Sequence, residues 1–441
     1  MIAVVAFIPL AVWAYLLVGR GWFWLCRERD DDARLGAFPP PLWGRTKEGG
    51  RAVARPERRL GTAAGTASRI SPRDPPPLPA PARGAGAQLE PEAWPSVVAV
   101  IPARDEADVI ARSVGSLLRQ DYPGPFSVVV VDDQSGDGTA AVARAAAAEA
   151  GAAGRLRIVA GTGPPPGWTG KLAAMRQGLG EVEADAAAPE FVLFTDADIA
   201  YAPHVLSRLI EIARGNNSVL TSLMVKLNCE TAAERWLAPA FVFFFQMLYP
   251  FAWVNDSSRA TAAAAGGCML VKREALRAAG GLEAVRGALI DDCALGALMK
   301  GHGPIWLGLT ESVDSLRAYP SFADFRAMVA RSAFAELRYS PWRLAGVIGG
   351  MALVYIAPPL FALFARGAAE AAGALAWAMM ALALTPTLRL YRRPLIGGLA
   401  LPAIAAANVA FTFDSALQYW RGRGGYWKGR VQAPMREAGR A

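Results

Sequence analysis

Apolar residues run without a charge from Ile2 to Val18, and Arg20 closes the run. Three comparable stretches lie near the other end of the chain: Leu344–Ala365, Ala371–Leu388 and Leu395–Phe413. As helices, these three are long enough to cross the hydrocarbon core of a bilayer. Between the two ends the period changes. Val97–Ile101, Val128–Val131, Leu156–Val159 and Phe191–Phe194 are apolar runs of strand length. Helical patterns separate them: Ile110, Val114, Leu117 and Leu118 on one face, then Ala140–Ala148, then Lys171–Leu179. Strands and helices in alternation predict an α/β domain, a mostly parallel sheet with helices on both faces.

The chain therefore divides into five parts. Residues 1–27 form an uncleaved N-terminal anchor, with Trp22, Phe23 and Trp24 as its aromatic belt. Residues 28–95, rich in Arg, Pro, Gly and Ala, hold no apolar period and are expected to be a disordered tether. Residues 96–340 hold the α/β domain, residues 341–420 about three transmembrane helices, and residues 421–441 a basic tail. The apolar stretch at about 232–254 is interrupted by Pro239, Gln246 and Pro250, and is expected to lie in the membrane interface. A crossing there would put Asp196/Asp198 and Asp291/Asp292 on opposite sides of the bilayer.

Hydrophobic residues make up 53% of the 441 and charged residues 19%, too apolar a balance for an ordinary soluble enzyme. The formal charge of +8 does not point to nucleic acid. Many of the basic residues flank apolar segments (Arg20, Arg27, Arg29; Arg389, Arg392, Arg393), as the positive-inside tendency requires of cytoplasmic loops. Parity places the tail outside, yet Arg421, Arg423, Lys428, Arg430 and Arg436 lie in it. Either the tail tolerates that charge or one segment is re-entrant. Cys26, Cys229, Cys268 and Cys293 make no CxxC pair, and His204 and His302 are the only histidines. Zinc chemistry, a disulfide framework and a His-based triad are thereby disfavoured.

Polar residues follow the strands where open α/β sheets bind ligands: Arg104-Asp105-Glu106, Asp132-Asp133 and Asp196-Ala197-Asp198. Alternation puts the Asp196 and Asp198 side chains on one edge and turns Ala197 away. Paired carboxylates at the end of a buried strand are costly without a cation between them. Lys171 opens a helix after a Gly/Pro-rich loop, a position suited to a diphosphate, although a solvated surface lysine is the competing reading. The segment Asp132–Thr139 reads equally as a helix cap and turn, and Asp291-Asp292 as acids favoured at a helix N-terminus.

Ile101-Pro102-Ala103-Arg104-Asp105-Glu106, Val129–Thr139 and Asp196-Ala197-Asp198 together resemble the GT-A catalytic domain of family 2 glycosyltransferases. With Gly167-Trp168-Thr169-Gly170-Lys171, Ile290-Asp291-Asp292 and the apolar C-terminus, the layout is most similar to the hopanoid-biosynthesis-associated membrane members. The resemblance implies that Pro102, Ala103, Glu106, Asp133, Lys171 and Asp196 bind a nucleotide-sugar, UDP-linked. It implies that Asp196 and Asp198 hold Mg²⁺ or Mn²⁺. Asp292 would be the general base, supported by Asp291, with Gly266, Gly267 and Cys268 lining the acceptor site; Arg331 reads either as a diphosphate contact or as an interfacial residue. No Gln-x-x-Arg-Trp run follows Asp292, which favours transfer of one sugar over polymer synthesis. The expected protein is an inverting, metal-dependent transferase in the inner membrane, multi-pass, with a cytoplasmic catalytic domain and a lipid acceptor such as a hopanoid. A polyprenyl-phosphate sugar transferase and a non-catalytic membrane scaffold are the alternatives.

Overall fold

The computed structural model describes residues 2–31, 93–185, 188–427 and 430–431. Its centre is an eight-stranded mixed sheet made of β1 (Val97–Ala103), β2 (Phe126–Asp132), β3 (Leu156–Ala160), β4 (Phe191–Phe194), β5 (Ile199–Tyr201), β6 (Leu220–Lys226), β7 (Met269–Lys272) and β8 (Ile305–Ser315). The order across the sheet is β3-β2-β1-β4-β7-β6-β8-β5. The first four strands are parallel, β7 is antiparallel to both of its neighbours, and β8 runs parallel to β6 and antiparallel to β5.

The sheet has two apolar faces because β1, β2 and β4 are apolar at nearly every position. Val100, Val129 and Val131 point into one core, while Val97, Ala99, Ile101, Val128 and Val130 point into the other. The helix Ile110–Leu118 covers the second face with Ile110, Val114, Leu117 and Leu118. The helix Gly170–Glu183 covers the first with Leu172, Met175, Leu179 and Val182. That second helix lies against the sheet at Gly178, where a Cβ would sit 2.5 Å from Val100 Cγ1 and 3.0 Å from Val131 Cγ2.

Three helices are long and apolar enough to cross a membrane: Pro341–Phe364, Ala368–Leu390 and Leu395–Trp420; Val4–Val18 is a shorter apolar helix. Pro341–Phe364 contains a π-helical stretch at Ala352–Ile356, just before Pro358 and Pro359. The N-terminal helix packs with Ala6 beside Ala369 and Ala372, and with Trp13 donating to the Val354 carbonyl at 2.9 Å. The expected interfacial segment is two helices, Ala232–Leu248 and Phe251–Asn255, broken at Pro250. The first places Phe243 in the same apolar cluster as Trp13 and Tyr355.

The third apolar helix turns back. Tyr391 accepts from the Leu227 N–H of the α/β domain at 3.1 Å, and Arg392 lies 3.6 Å from Glu311. The chain then reaches Leu399, whose carbonyl accepts from Trp377 partway along Ala368–Leu390. By Ser415 it is bonded to Phe334 and Ala330, and Tyr419 and Trp420 pack on the Phe334 ring.

One expectation is corrected. Residues 28–31, assigned above to the tether, are docked on the open edge of β8: Asp30 N donates to Leu309 O at 3.1 Å, Leu309 N to Glu28 O at 2.8 Å, and Thr310 to Asp30 Oδ2 at 2.6 Å. An unpaired strand edge presents free donors and acceptors, and this segment satisfies them. Residues 32–92 lie outside the described residues, as do 428, 429 and 432–441 of the tail.

Gly178→Leu forces a side chain into the helix–sheet contact and is expected to cost about 1–3 kcal/mol. Gly180→Ala, two residues on, meets only an ordinary contact with Arg176. It is expected to stabilise the same helix by up to about 1 kcal/mol. Melting curves of the two variants in detergent should therefore shift in opposite directions.

Candidate active site

The strand ends that hold the chemistry face a cavity of about 500 Å³. Of the residues expected at the donor site, Pro102, Glu106, Lys171, Asp196 and Asp198 line it; so do Gly267, Asp291 and Arg331. Thr169, Arg317, Tyr319 and Met328 complete much of the wall.

Lys171 ties the two acidic clusters together. Its Nζ lies 2.8 Å from Asp196 Oδ1 and 3.0 Å from Asp291 Oδ2. The helix that carries it begins at Gly170 with Thr169 as cap, the Thr169 hydroxyl accepting from Leu172 N, and the Thr169 N–H is held by Arg286 O. Burial pushes the Asp196 carboxyl above its ordinary value, Lys171 pulls it back, and Asp198 and Asp291 push it up again. Lys171 itself is held protonated: burial lowers its pKa, and Asp196 and Asp291 more than reverse that.

Asp291 and Asp292 open the helix Asp291–Lys300. Gly296 on that helix touches the backbone of Ala263 and Ala264, which brings its first turn beside Gly266. Asp292 Oδ2 accepts from Gly266 N at 2.9 Å and Oδ1 from Cys293 N at 2.8 Å. Burial and Asp291 raise the Asp292 pKa to about 6, with Lys171 and the two N–H groups opposing. A Cβ on Gly266 would lie 3.2 Å from Lys171 Nζ and 3.3 Å from Asp292 Oδ2, so a side chain there would wedge between them. Asp291, expected only as support, stands in the cavity wall; Asp292, expected as the base, sits one step behind it under Gly266.

Five expected residues are not in the cavity lining: Asp292 and Gly266, which meet behind its wall, and Cys268, Ala103 and Asp133. Cys268 is fully buried on the far face of the sheet, in the cluster with Ile199 and Tyr201, because β7 alternates its side chains; burial pushes its thiol up to about 12. Ala103 and Asp133 lie beside the cavity wall rather than in it, bonded to each other from Asp133 N to Ala103 O at 2.8 Å. Ala197 turns into the core, as the alternation predicts, and leaves Asp196 and Asp198 on the cavity side.

Arg317 was not anticipated. It follows β8, and its guanidinium bonds Asp198 at 2.8 Å and Glu106 at 2.5 Å. The signal was present, since Ser315-Leu316-Arg317 is a basic residue at the carboxyl end of a strand. β8 itself, with its polar second half, did not read as an apolar run. Behind the turn, the Tyr201 and Thr195 hydroxyls both donate to Gly267 O, at 3.1 and 2.9 Å, and fix Gly267 against the end of β4.

Among the described residues, no group of three or more His, Cys, Asp or Glu surrounds one metal position. A metal that shares its ligands with a diphosphate needs only one or two protein carboxylates. The wall offers hard oxygens in excess: Glu106, Asp196, Asp198, Asp291 and Asp324 against Lys171, Arg317 and Arg331. Asp291 Oδ2, although close to Lys171, is buried without an aligned hydrogen bond. Asp196 and Asp198 supply carboxylate oxygens at the cavity wall, the hard donor type that a divalent cation takes.

Residues 95–305 match the family model described as "Glycosyltransferase like family 2". An N-acetylglucosaminyltransferase of Mesorhizobium japonicum is 30% identical over 147 residues, 33% of this chain and 32% of the relative, so the chain spans about a third of that protein's length. Among solved structures, the mannosyltransferase PcManGT from Pyrobaculum calidifontis, in complex with GDP-Man and Mn²⁺, aligns with 75% of this chain and 88% of its own at 20% identity and TM-score 0.45. S. aureus TarS 1-349 in complex with UDP-GlcNAc aligns with 78% and 97% at 15% identity and TM-score 0.33.

Lys171→Met removes the cation shared by Asp196 and Asp291, both partly exposed to the cavity, a loss expected at about 1 kcal/mol near neutral pH. A carboxyl whose folded-state pKa is raised stabilises the fold at low pH and loses that contribution as pH rises. The melting-temperature deficit of Lys171→Met should thus be larger at about pH 8 than at about pH 5.

Proposed function

With a family 2 glycosyltransferase domain over residues 95–305 as its premise, we propose that the protein transfers one sugar, with inversion, from a UDP-linked donor to a hydroxyl of a membrane lipid, a hopanoid being the favoured acceptor. The observation that carries this reading is the single lysine joining Asp196 to Asp291, which brings the donor acids and the start of the helix that carries Asp292 to one cavity.

Donor diphosphate would lie against Lys171 and the N-terminus of its helix, where ammonium and backbone N–H groups favour negative charge. Asp196 and Asp198 would hold Mg²⁺ or Mn²⁺, which offsets the charge that develops on the departing nucleoside diphosphate. Asp292 is kept in one orientation by the N–H groups of Gly266 and Cys293, and its pKa of about 6 leaves it ionised yet basic at neutral pH. It takes the proton of the acceptor hydroxyl while that oxygen bonds to the anomeric carbon and the carbon–diphosphate bond breaks. Gly266, without a side chain, lets its backbone N–H reach Asp292 and leaves nothing between that carboxylate and Lys171.

A lipid acceptor is supported by the apolar part of the wall. Leu227, Leu289, Ala327 and Met328 line the cavity, and the helix Phe322–Ala330 that carries Met328 packs on the apolar helix Leu401–Trp420. A phosphate acceptor, as on a polyprenyl phosphate, is the second reading, and Arg331 in the same wall favours it. In the membrane, the domain would sit at the cytoplasmic face of the inner membrane. The third apolar segment would be re-entrant, since both of its ends are bonded to the α/β domain side.

Asp292→Asn is expected to lower kcat by about 10²- to 10⁴-fold with a hydroxyl acceptor. The acid limb of the wild-type pH profile should fall near pH 6, because protonation below that value removes the base. Retained turnover would point to the phosphate acceptor, and loss in Asp291→Asn alone would move the base to Asp291. Lipid analysis of a strain lacking the protein identifies the acceptor by the missing glycolipid. For the topology, a cysteine at Arg421 is expected to be labelled from the same side as one at Ser135, and a cysteine at Glu370 from the other.

A further inference from the structure

Arg317 lies between the two acids that the sequence places at different strand ends, Glu106 after β1 and Asp198 after β4. Its Nε donates to Asp198 Oδ2 at 2.8 Å and its Nη2 to Glu106 Oε2 at 2.5 Å. The side chains of Asp198 and Glu106 are 16% and 9% exposed, whereas that of Arg317 is 30% exposed and borders the open cavity. Asp198 is one of the two carboxylates that would hold a divalent cation. A metal bound to it would stand about 2.0–2.1 Å from the carboxylate oxygen. That position is next to a guanidinium already on Oδ2, and like charges so close disfavour each other.

We propose that Arg317 is an internal stand-in for the divalent cation: it holds Asp198 while no metal is bound and must release Oδ2 before one binds. The inference rests on the metal-assisted reading above. Release is a rotation of the side chain and not an opening of the loop, because the backbone on both sides is fastened. Leu316 N donates to Asp198 O at 2.7 Å, Tyr319 N to Glu234 Oε1 at 2.6 Å, and Thr231 to Tyr319 O at 3.4 Å. Glu234 is fully buried and also accepts from Glu230 N and Thr231 N, so that anchor does not travel. The guanidinium keeps Glu106 as its partner and swings on it toward the cavity. Lys171 does not play this part, since it bridges Asp196 to Asp291 and joins the two halves of the site.

The test titrates Mn²⁺ alone into purified full-length protein in detergent, with free Mn²⁺ followed by electron paramagnetic resonance. Arg317→Gln is expected to bind Mn²⁺ about tenfold more tightly than wild type, the equivalent of one charge-assisted hydrogen bond that no longer competes. Glu106→Gln should shift the affinity the other way, since Asp198 is then the only carboxylate left to Arg317. Asp198→Asn should lose Mn²⁺, and a melting curve of each variant reports that it is folded. If Arg317→Gln and Glu106→Gln both bind Mn²⁺ as wild type does while Asp198→Asn does not bind it, the stand-in role is overturned and the metal site remains. If wild type takes up no Mn²⁺ with or without UDP, the metal-assisted reading falls and this inference falls with it.

Discussion

The ion pairs of Lys171 are the constraint on which the rest of the site depends. Asp196 stands at the end of β4 and Asp291 at the start of a helix about a hundred residues later, and both sit within 3.0 Å of one ammonium. Two buried carboxylates repel each other unless a cation lies between them. The lysine therefore does more than neutralise. It also stands beside Gly266 in the loop that precedes β7, where a Cβ would lie 3.2 Å from its Nζ. Gly178 then matters for a reason beyond packing, because it seats the helix whose second residue is that lysine.

What the sequence discloses follows from what each residue must do locally. β1, β2 and β4 are apolar at nearly every position because they are covered on both faces, so their runs are visible. The acids after them are visible for the same reason, as polar residues that follow a buried run. β8 is different: its first half is buried beside β6, while its second half, Glu311–Ser315, pairs with the short edge strand β5 and, past a bulge, with the end of β6, and carries polar residues. Nothing periodic marks it, and Arg317 at its end was missed with it. The depth of Cys268 was hidden too, since one residue's shift along β7 sends a side chain to the opposite face.

The division of labour between Asp291 and Asp292 shows where spacing alone stops. Adjacent residues on a helix point about 100° apart, so only one of the pair can face the cavity squarely. Asp291 does, and meets Lys171; Asp292 turns under Gly266 and gains two backbone donors. Which carboxylate touches a cation and which is left basic is set by the approach of the Gly266 backbone, a tertiary contact between segments far apart in the chain. The resemblance to a family supplied an expected order of roles; the structure adds the placement, Asp291 in the cavity wall and Asp292 beneath Gly266.

The docking of residues 28–31 on β8 also puts both flanks of the stretch from 32 to 92 on one sheet: Asp30 is bonded to Leu309 and Thr310, and Ser96 O accepts from Glu190 and Phe191 just ahead of β1. The first apolar helix is thereby tied to the sheet through residues 19–31, with Arg20 held by Met247 O and Gly21 against Trp253. The spacing between the sheet and that helix is thus a property of one short run and the contacts that hold it.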